Sequence, residues 1–197
     1  AKACLSENDT FSYVYGLLNS DEYQKKYASD LKKSLPRIPI VKNKERYIEI
    51  GKKLIDLHLN YGHVPVYDGV TIQTKGEPNY KVKKMIFAKK LNPETKKREN
   101  DRSTIIFNDT IIISDIPNKA YEYVVNGRSA IEWIMDQYQV KTDKKSGITD
   151  DPNEFSDDPK YIFNLLLRII NVSIQTVDLI NELPKLEVDE SYYKDKG

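Results

Sequence analysis

Apolar residues recur at helical spacing through the first third of the chain. Phe11, Val14, Tyr15 and Leu18 fall at i, i+3, i+4 and i+7, which predicts a helix over about 9–19. Ser20 follows as an N-cap, with Asp21 and Glu22 where negative charge suits the helix dipole. The second predicted helix carries Tyr23, Tyr27, Leu31 and Leu35 at spacing four and must stop near Pro36. Pro36-Arg37-Ile38-Pro39 is expected to be extended, because each proline pushes its predecessor out of the helical region. A third helix spans about 44–60. Tyr47, Ile50, Leu54, Leu57 and Tyr61 form one stripe, and Glu45, Glu49, Lys52, Asp56 and Asn60 the opposite one. Gly62 is its expected C-cap.

The period then changes. Residues 80–91 read as a strand rich in Val, Ile, Phe and Tyr, with a break at Lys83-Lys84 that predicts a bulge. Residues 92–101 read as a polar loop. Two short strands, 104–107 and 110–114, flank Asn108-Asp109, a two-residue hairpin signal. Three such strands make an antiparallel meander. Two helical pieces follow Pro117. The second opens with Ser129 and Glu132 at capping-box spacing and carries Ile131, Ile134, Met135 and Tyr138 on its inner face, with Trp133 read as core. Residues 141–158 read as an irregular polar loop. Asp158-Pro159 then starts a long helix to about residue 182. Its polar residues Asn164, Arg168, Asn171, Gln175, Asp178 and Glu182 leave one narrow wet stripe on an otherwise buried rod.

These elements predict an α+β fold, with helices at both ends packed around a small antiparallel sheet. The expected parts are residues 1–63, 64–116, 117–184 and a charged tail, 185–197, within one compact domain.

Composition narrows the chemistry. With 197 residues, 39% hydrophobic and 31% charged, the chain can bury one core under a well-solvated surface. It starts at Ala1 without an initiator Met, so it is expected to be a fragment or a processed chain. A single cysteine, Cys4, leaves no internal disulfide and fits a reducing cytoplasm. No membrane partner is expected, because the most apolar stretch, 161–180, is interrupted by the polar stripe.

Most catalytic signatures are missing. His58 and His63, the only histidines, sit five apart and lack a nearby carboxylate to complete a ligand set. No nucleophile elbow, phosphate-cradling Gly-Lys loop or dinucleotide fingerprint occurs. Asp143, Asp150, Asp151, Asp157 and Asp158 crowd one segment, where two of them with a divalent metal would make a hydrolase. Caps and solvated turns are the more ordinary use of such residues.

Net charge is only +1, so an electrostatic case has to be local. Residues 81–102 supply one, with nine basic residues against Glu94, Glu99 and Asp101, a local excess of six positive charges. A basic hairpin of this kind can follow a phosphate backbone or enter a groove. Lysines also guard free sheet edges, which is the competing explanation.

Several strings carry a family resemblance. Phe11-Ser-Tyr-Val-Tyr-Gly-Leu-Leu-Asn-Ser20, the run Tyr27 to Pro39 with Leu35-Pro-Arg-Ile-Pro39, Gly51 to Tyr61, Asn126-Gly-Arg-Ser-Ala-Ile-Glu-Trp133 and Tyr138 to Asn153 occur in order. Together they resemble the C-terminal specificity region of type ISP single-chain restriction-modification enzymes, across residues 11–184. The resemblance implies a parent with a nuclease, a helicase-like ATPase and an adenine methyltransferase, using Mg2+, ATP and S-adenosylmethionine. None of those sites transfers to this chain, which is therefore expected to be non-catalytic and free of cofactors. Asn92-Pro93-Glu94-Thr95 lacks the second proline and the aromatic residue of an amino-methyltransferase motif, and reads as a turn.

The implied partners are double-stranded DNA and the methyltransferase domain of the same parent. The alternative is an intramolecular docking or coupling module with little DNA contact. From charge and loop placement, phosphate contacts are assigned to Lys81, Lys83, Lys84, Lys89, Lys90, Lys96, Lys97, Lys144 and Lys145. Base readers are assigned to Arg98, Asn100 and Arg102, with Gln73 and Asn79 as lesser candidates. Arg37 is either a phosphate contact or an anchor to a carboxylate. Asp143, Ser146 and Asp151 are expected to fasten their loop.

Overall fold

The computed structural model describes residues 5–33 and 36–194. Cys4 and Leu35 lie outside them. The chain divides into two compact units, one of residues 1–60 with 175–197, the other of residues 61–174. Segments 64–116 and 117–174 thus share one unit, while residues 175–197 return to the first.

The first unit begins with α1 (Glu7–Leu18), capped by the Ser6 hydroxyl, which accepts from the Asp9 N–H. Ser20 caps the next helix as expected, accepting from the Tyr23 N–H. That helix is not continuous: it divides at Tyr27 into α2 (Asp21–Lys26) and α3 (Ala28–Lys33). Its apolar stripe loses burial as it goes, Tyr23 being buried, Tyr27 half-buried and Leu31 exposed, so packing holds only the first turn. In α4 (Lys44–Leu59) the stripe from Tyr47 to Leu57 is buried as predicted, but Tyr61 is exposed and Gly62 is not the cap. The helix ends at Asn60, whose amide donates to the Asp56 carboxylate at 2.7 Å.

Tyrosine hydroxyls organise this core. Tyr13 donates to the Pro39 carbonyl (2.6 Å), Tyr23 to that of Arg37 (2.6 Å) and Tyr47 to that of Pro184 (2.8 Å). Each buried ring thereby satisfies its polar tip on an extended segment whose carbonyls have no helical partner. The expected charged tail is also pinned at its start. Val188 bridges Val41, the Lys42 N–H donates to the Glu187 carbonyl, and Leu186 joins the core. A short helix, α7 (Ser191–Lys194), follows.

The second unit is built on a four-stranded antiparallel sheet ordered β1-β4-β3-β2, from β1 (Thr71–Thr74), β2 (Ile86–Leu91), β3 (Arg98–Ile106) and β4 (Ile111–Ser114). Strand β1 escaped sequence prediction because all four residues are exposed and show no in-out alternation. Strand β2 is shorter than predicted. Residues 80–85 are irregular, and at Val82 the Asn153 side chain takes the place of a neighbouring strand: it accepts from the Val82 N–H and donates to its carbonyl, both at 2.8 Å. The break at Lys83-Lys84 is therefore outside the sheet. The bulge lies on β3, where Arg102, Ser103 and Thr104 face the Phe87/Ala88 junction.

Two small hairpins flank α5 (Ala130–Gln137). The first pairs β5 (Val124–Val125) with β6 (Arg128–Ser129) through Asn126 and Gly127, both at positive φ, the signature of a tight two-residue hairpin turn. The second pairs β7 (Lys141–Thr142) with β8 (Thr149–Asp150), where an irregular loop was expected. The Ser129–Glu132 capping box is present. Trp133 is not core; it is 39% exposed, lies under the Arg128 guanidinium and donates to the Val125 carbonyl.

The spine is α6 (Tyr161–Asn181), which starts two residues later than predicted; ahead of it the Asp158 carboxylate accepts from the Lys160 N–H. In this unit its buried residues Ile162, Phe163, Leu166 and Ile170 meet Ile105, Phe107, Ile111 and Ile113 of the sheet. Two of its stripe residues have backbone partners: Arg168 donates to the Val64 carbonyl and Asn171 to that of Pro65. By length and composition α6 is apolar enough to cross a membrane, contrary to expectation, yet 61% of its apolar window is buried inside the protein, as in a core helix.

Candidate nucleic-acid interface

The basic segment folds into a hairpin whose two faces differ in charge. Register places Lys89 opposite Asn100 and Leu91 opposite Arg98, and Lys90 opposite Glu99 and Ala88 opposite Asp101. Because side chains alternate across a strand, Lys89, Leu91, Arg98 and Asn100 share one face, which carries no carboxylate. Lys90, Glu99 and Asp101 share the other. There Lys90 pairs with Asp101 at 3.4 Å, and the Asn92 amide donates to Glu99 at 3.0 Å. The Ser103 hydroxyl and backbone N–H, together with Lys90, outweigh partial burial and hold the Asp101 carboxyl below its ordinary range, so this face keeps its negative charge.

The base-reading candidates Arg98, Asn100 and Arg102 were placed in a loop, but all three are on β3. Asn100 accepts a hydrogen bond from the Lys89 ammonium at 2.5 Å. Arg98 is exposed. Arg102, in the bulge, is tied down: it donates to Glu132 at 2.9 Å, and its guanidinium covers the Tyr121 ring. The turn of the hairpin carries Lys96 and Lys97. Asn92 builds it by accepting from the Glu94 and Thr95 N–H groups, and Lys96 adopts positive φ. The Asn-Pro-Glu-Thr string is thus a turn.

Lys81, Lys83 and Lys84 lie on the irregular segment before β2. The Lys83 carbonyl accepts from the Val140 N–H, so this segment runs beside the start of the β7–β8 hairpin that carries Lys144 and Lys145. Asp143 fastens that hairpin by accepting from the Lys145 and Ser146 N–H groups and the Ser146 hydroxyl. Asp151 similarly accepts from the Asn153 backbone and side chain. Two acidic residues of this segment therefore serve as turn caps. Among the described residues, no three His, Cys, Asp or Glu side chains gather as a metal set.

Of the lesser candidates, Gln73 is exposed on β1, and Asn79 closes a turn onto the Lys81 N–H. His58 is half-buried, with Nδ1 2.7 Å from the Tyr15 hydroxyl and Nε2 2.8 Å from that of Thr176.

Sequence reasoning missed three contributors. Leu91 is 61% exposed on the carboxylate-free face. Asn153 and Asn108 hold the irregular segment, Asn108 by donating to the Asn79 and Lys81 carbonyls. Only the Leu91 placement had a sequence signal, the two-residue alternation with Lys89. A cavity of about 520 Å3 lies at the root of the hairpin, where Lys89 and Asn100 stand beside Met85, Phe87, Ile106 and Met135.

A family model described as the type ISP C-terminal specificity domain matches residues 1–165. A comparison with curated proteins finds no match. Among solved structures, the chain is similar to a nuclease-deletion mutant of the type ISP restriction-modification enzyme LlaGI in complex with a DNA substrate mimic, at 58% identity and a TM-score of 0.83. It is similar to the ATP-dependent type ISP restriction-modification enzyme LlaBIII bound to DNA, at 59% identity and 0.84. A DrdV–DNA complex follows at 26% and 0.76. These matches cover 94%, 94% and 91% of this chain, but only 14%, 12% and 18% of theirs.

Proposed function

The chain belongs to the type ISP C-terminal specificity domain family, and from that premise we propose that it is the DNA-recognition module of a larger ATP-dependent restriction-modification enzyme. The observation that carries this is the segregated hairpin. One face presents Lys89, Arg98 and Asn100 without a carboxylate, while Glu99 and Asp101 are gathered and internally paired on the other. A duplex is a dense line of negative charge, which attracts cationic groups and repels carboxylates at close range. Only the carboxylate-free face suits it. Lys81, Lys83, Lys84, Lys96, Lys97, Lys144 and Lys145 would add backbone contacts around that face. The similar structures, all complexes with DNA or a DNA mimic, support the same role.

In this role the chain is non-catalytic and works in the cytoplasm. The nuclease, motor and adenine methyltransferase, with their Mg2+, ATP and S-adenosylmethionine, would lie elsewhere in the longer protein. A docking role for the first unit is a companion reading. Phe11 and Leu59 are 61% and 76% exposed there, and the methyltransferase domain of the same parent is the partner it would suit.

The test is duplex affinity of the full-length protein against salt concentration. A steep loss of affinity with salt is expected, and its slope should flatten when Lys96 and Lys97 are both changed to Ala. Absence of duplex binding at low salt contradicts the reading.

A further inference from the structure

Lys89 and Asn100 are directly opposite one another on the carboxylate-free face, and the Lys89 ammonium donates to Asn100 Oδ1. An ammonium has no lone pair, so this bond also fixes the amide. Its oxygen is turned to lysine, and its NH2 is left to donate. An asparagine that reads adenine needs both ends of the amide, accepting from N6 and donating to N7. Here one of the two lone pairs at the accepting end is engaged, and by a cation. What the pair offers outward is chiefly N–H donors, two from the amide and those remaining on the ammonium, and the positive charge beside Oδ1 opposes the approach of a further donor.

We propose that Lys89 and Asn100 act as one donor unit that reads a guanine edge in the major groove. The inference rests on the DNA-recognition role above and adds the chemistry of one base to it. Guanine presents two acceptors side by side, O6 and N7. Adenine sets a donor beside its acceptor, and cytosine presents a donor, so each places hydrogen against hydrogen at this pair. Thymine has a single acceptor. Both side chains are exposed, so a base edge can reach them. The neighbouring groups do not compete. Arg98 and Leu91 on the same face bring no acceptor, and the hairpin's own strand carboxylates, Glu99 and Asp101, belong to the opposite face.

The experiment is selection of bound duplexes by the full-length protein from a pool with randomised base pairs, followed by sequencing. The variants are Lys89→Ala, Asn100→Ala and Asn100→Asp, each checked for an unchanged melting temperature. The wild-type protein should fix a guanine at one or more positions. Both alanine variants should relax guanine at one shared position by about tenfold or more, a low value for one paired-donor contact. Preferences elsewhere should stay unchanged. Asn100→Asp, which replaces the donor by an acceptor, should lose guanine at that same position. Uniform weakening of all sequences by the alanine variants would overturn the proposal and make the pair a phosphate contact. So would a relaxed position that holds a base other than guanine. A wild-type protein that binds no duplex would overturn the recognition role itself, a distinct result.

Discussion

Gly51 in α4 lies against Ser12 in α1, so closely that a Cβ at Gly51 would stand 1.9 Å from the Ser12 carbonyl oxygen. Gly16 makes the reciprocal approach, its Cβ position lying 2.4 Å from the Tyr47 carbonyl oxygen. The two helices meet backbone to backbone at this crossing. Alanine in place of glycine ordinarily favours a helix by about 1 kcal/mol. Here the obstruction is backbone, which cannot rotate away, and overpacking costs about 1–3 kcal/mol or more. Gly51→Ala should therefore destabilise the protein by about 2 kcal/mol or more in urea unfolding. Gly62→Ala, with open space around it, should be nearly neutral.

Asn153 should matter for stability although it lies in an acidic loop. Its amide completes both backbone bonds of Val82, a residue only 2% exposed. Asn153→Ala strands a partly buried N–H and a carbonyl, at about 1–3 kcal/mol. Hydrogen exchange at the Val82 amide should speed up more than exchange at β4. Equal protection in both forms would contradict this.

His58 should give the first unit a pH dependence. Burial pushes its imidazole below the ordinary value of 6.5, favouring the neutral ring held between Tyr15 and Thr176. A group with a depressed folded-state value contributes its full stability above the unfolded value and loses it as pH falls through the folded one. Stability should thus decline as pH drops below about 6.5, and His58→Gln should lessen that decline. Parallel stability curves for the two proteins would rule the mechanism out.

Arg102 should act on stability more than on sequence choice. It reaches Glu132, which also accepts from the Ser129 hydroxyl and backbone N–H in the capping box, and it covers Tyr121. Burial opposes ionisation of Glu132, but Ser129, Arg102 and Arg128 outweigh it and hold its carboxyl below the ordinary range. Arg102→Ala should cost about 1 kcal/mol, since the pair is partly exposed. Duplex selection by the variant should return the wild-type base preferences.

The helices were legible because their apolar stripes and caps are local signals. Ser20, the Ser129–Glu132 box and the polar stripe of α6 all stand where spacing put them. What sequence could not show depends on distant partners. Residues 80–85 look like a strand, yet the Val82 backbone is satisfied by Asn153, 71 residues away, and the Lys81 and Lys83 carbonyls by Asn108 and Val140. Residues 187–189 look like a tail, yet they pair with residues 40–42. Strand β1 has no buried face to announce it. In the candidate interface, the excess of basic residues was visible, but its division between two faces was not. The bulge at Arg102–Thr104 breaks the alternation, so register alone reveals that Lys89, Arg98 and Asn100 stand together and Lys90 stands with the acids.

That division can be tested by charge reversal on one face at a time in the full-length protein. Duplex affinity would be measured at fixed low salt for Lys89→Glu with Arg98→Glu, and separately for Lys90→Glu. The first variant should lose at least about a hundredfold, two contacts being each replaced by repulsion of a phosphate or base acceptor. The second should stay within about threefold, a margin of less than 1 kcal/mol. Equal losses from the two variants, or a larger loss from Lys90→Glu, would contradict the assignment of DNA to the carboxylate-free face.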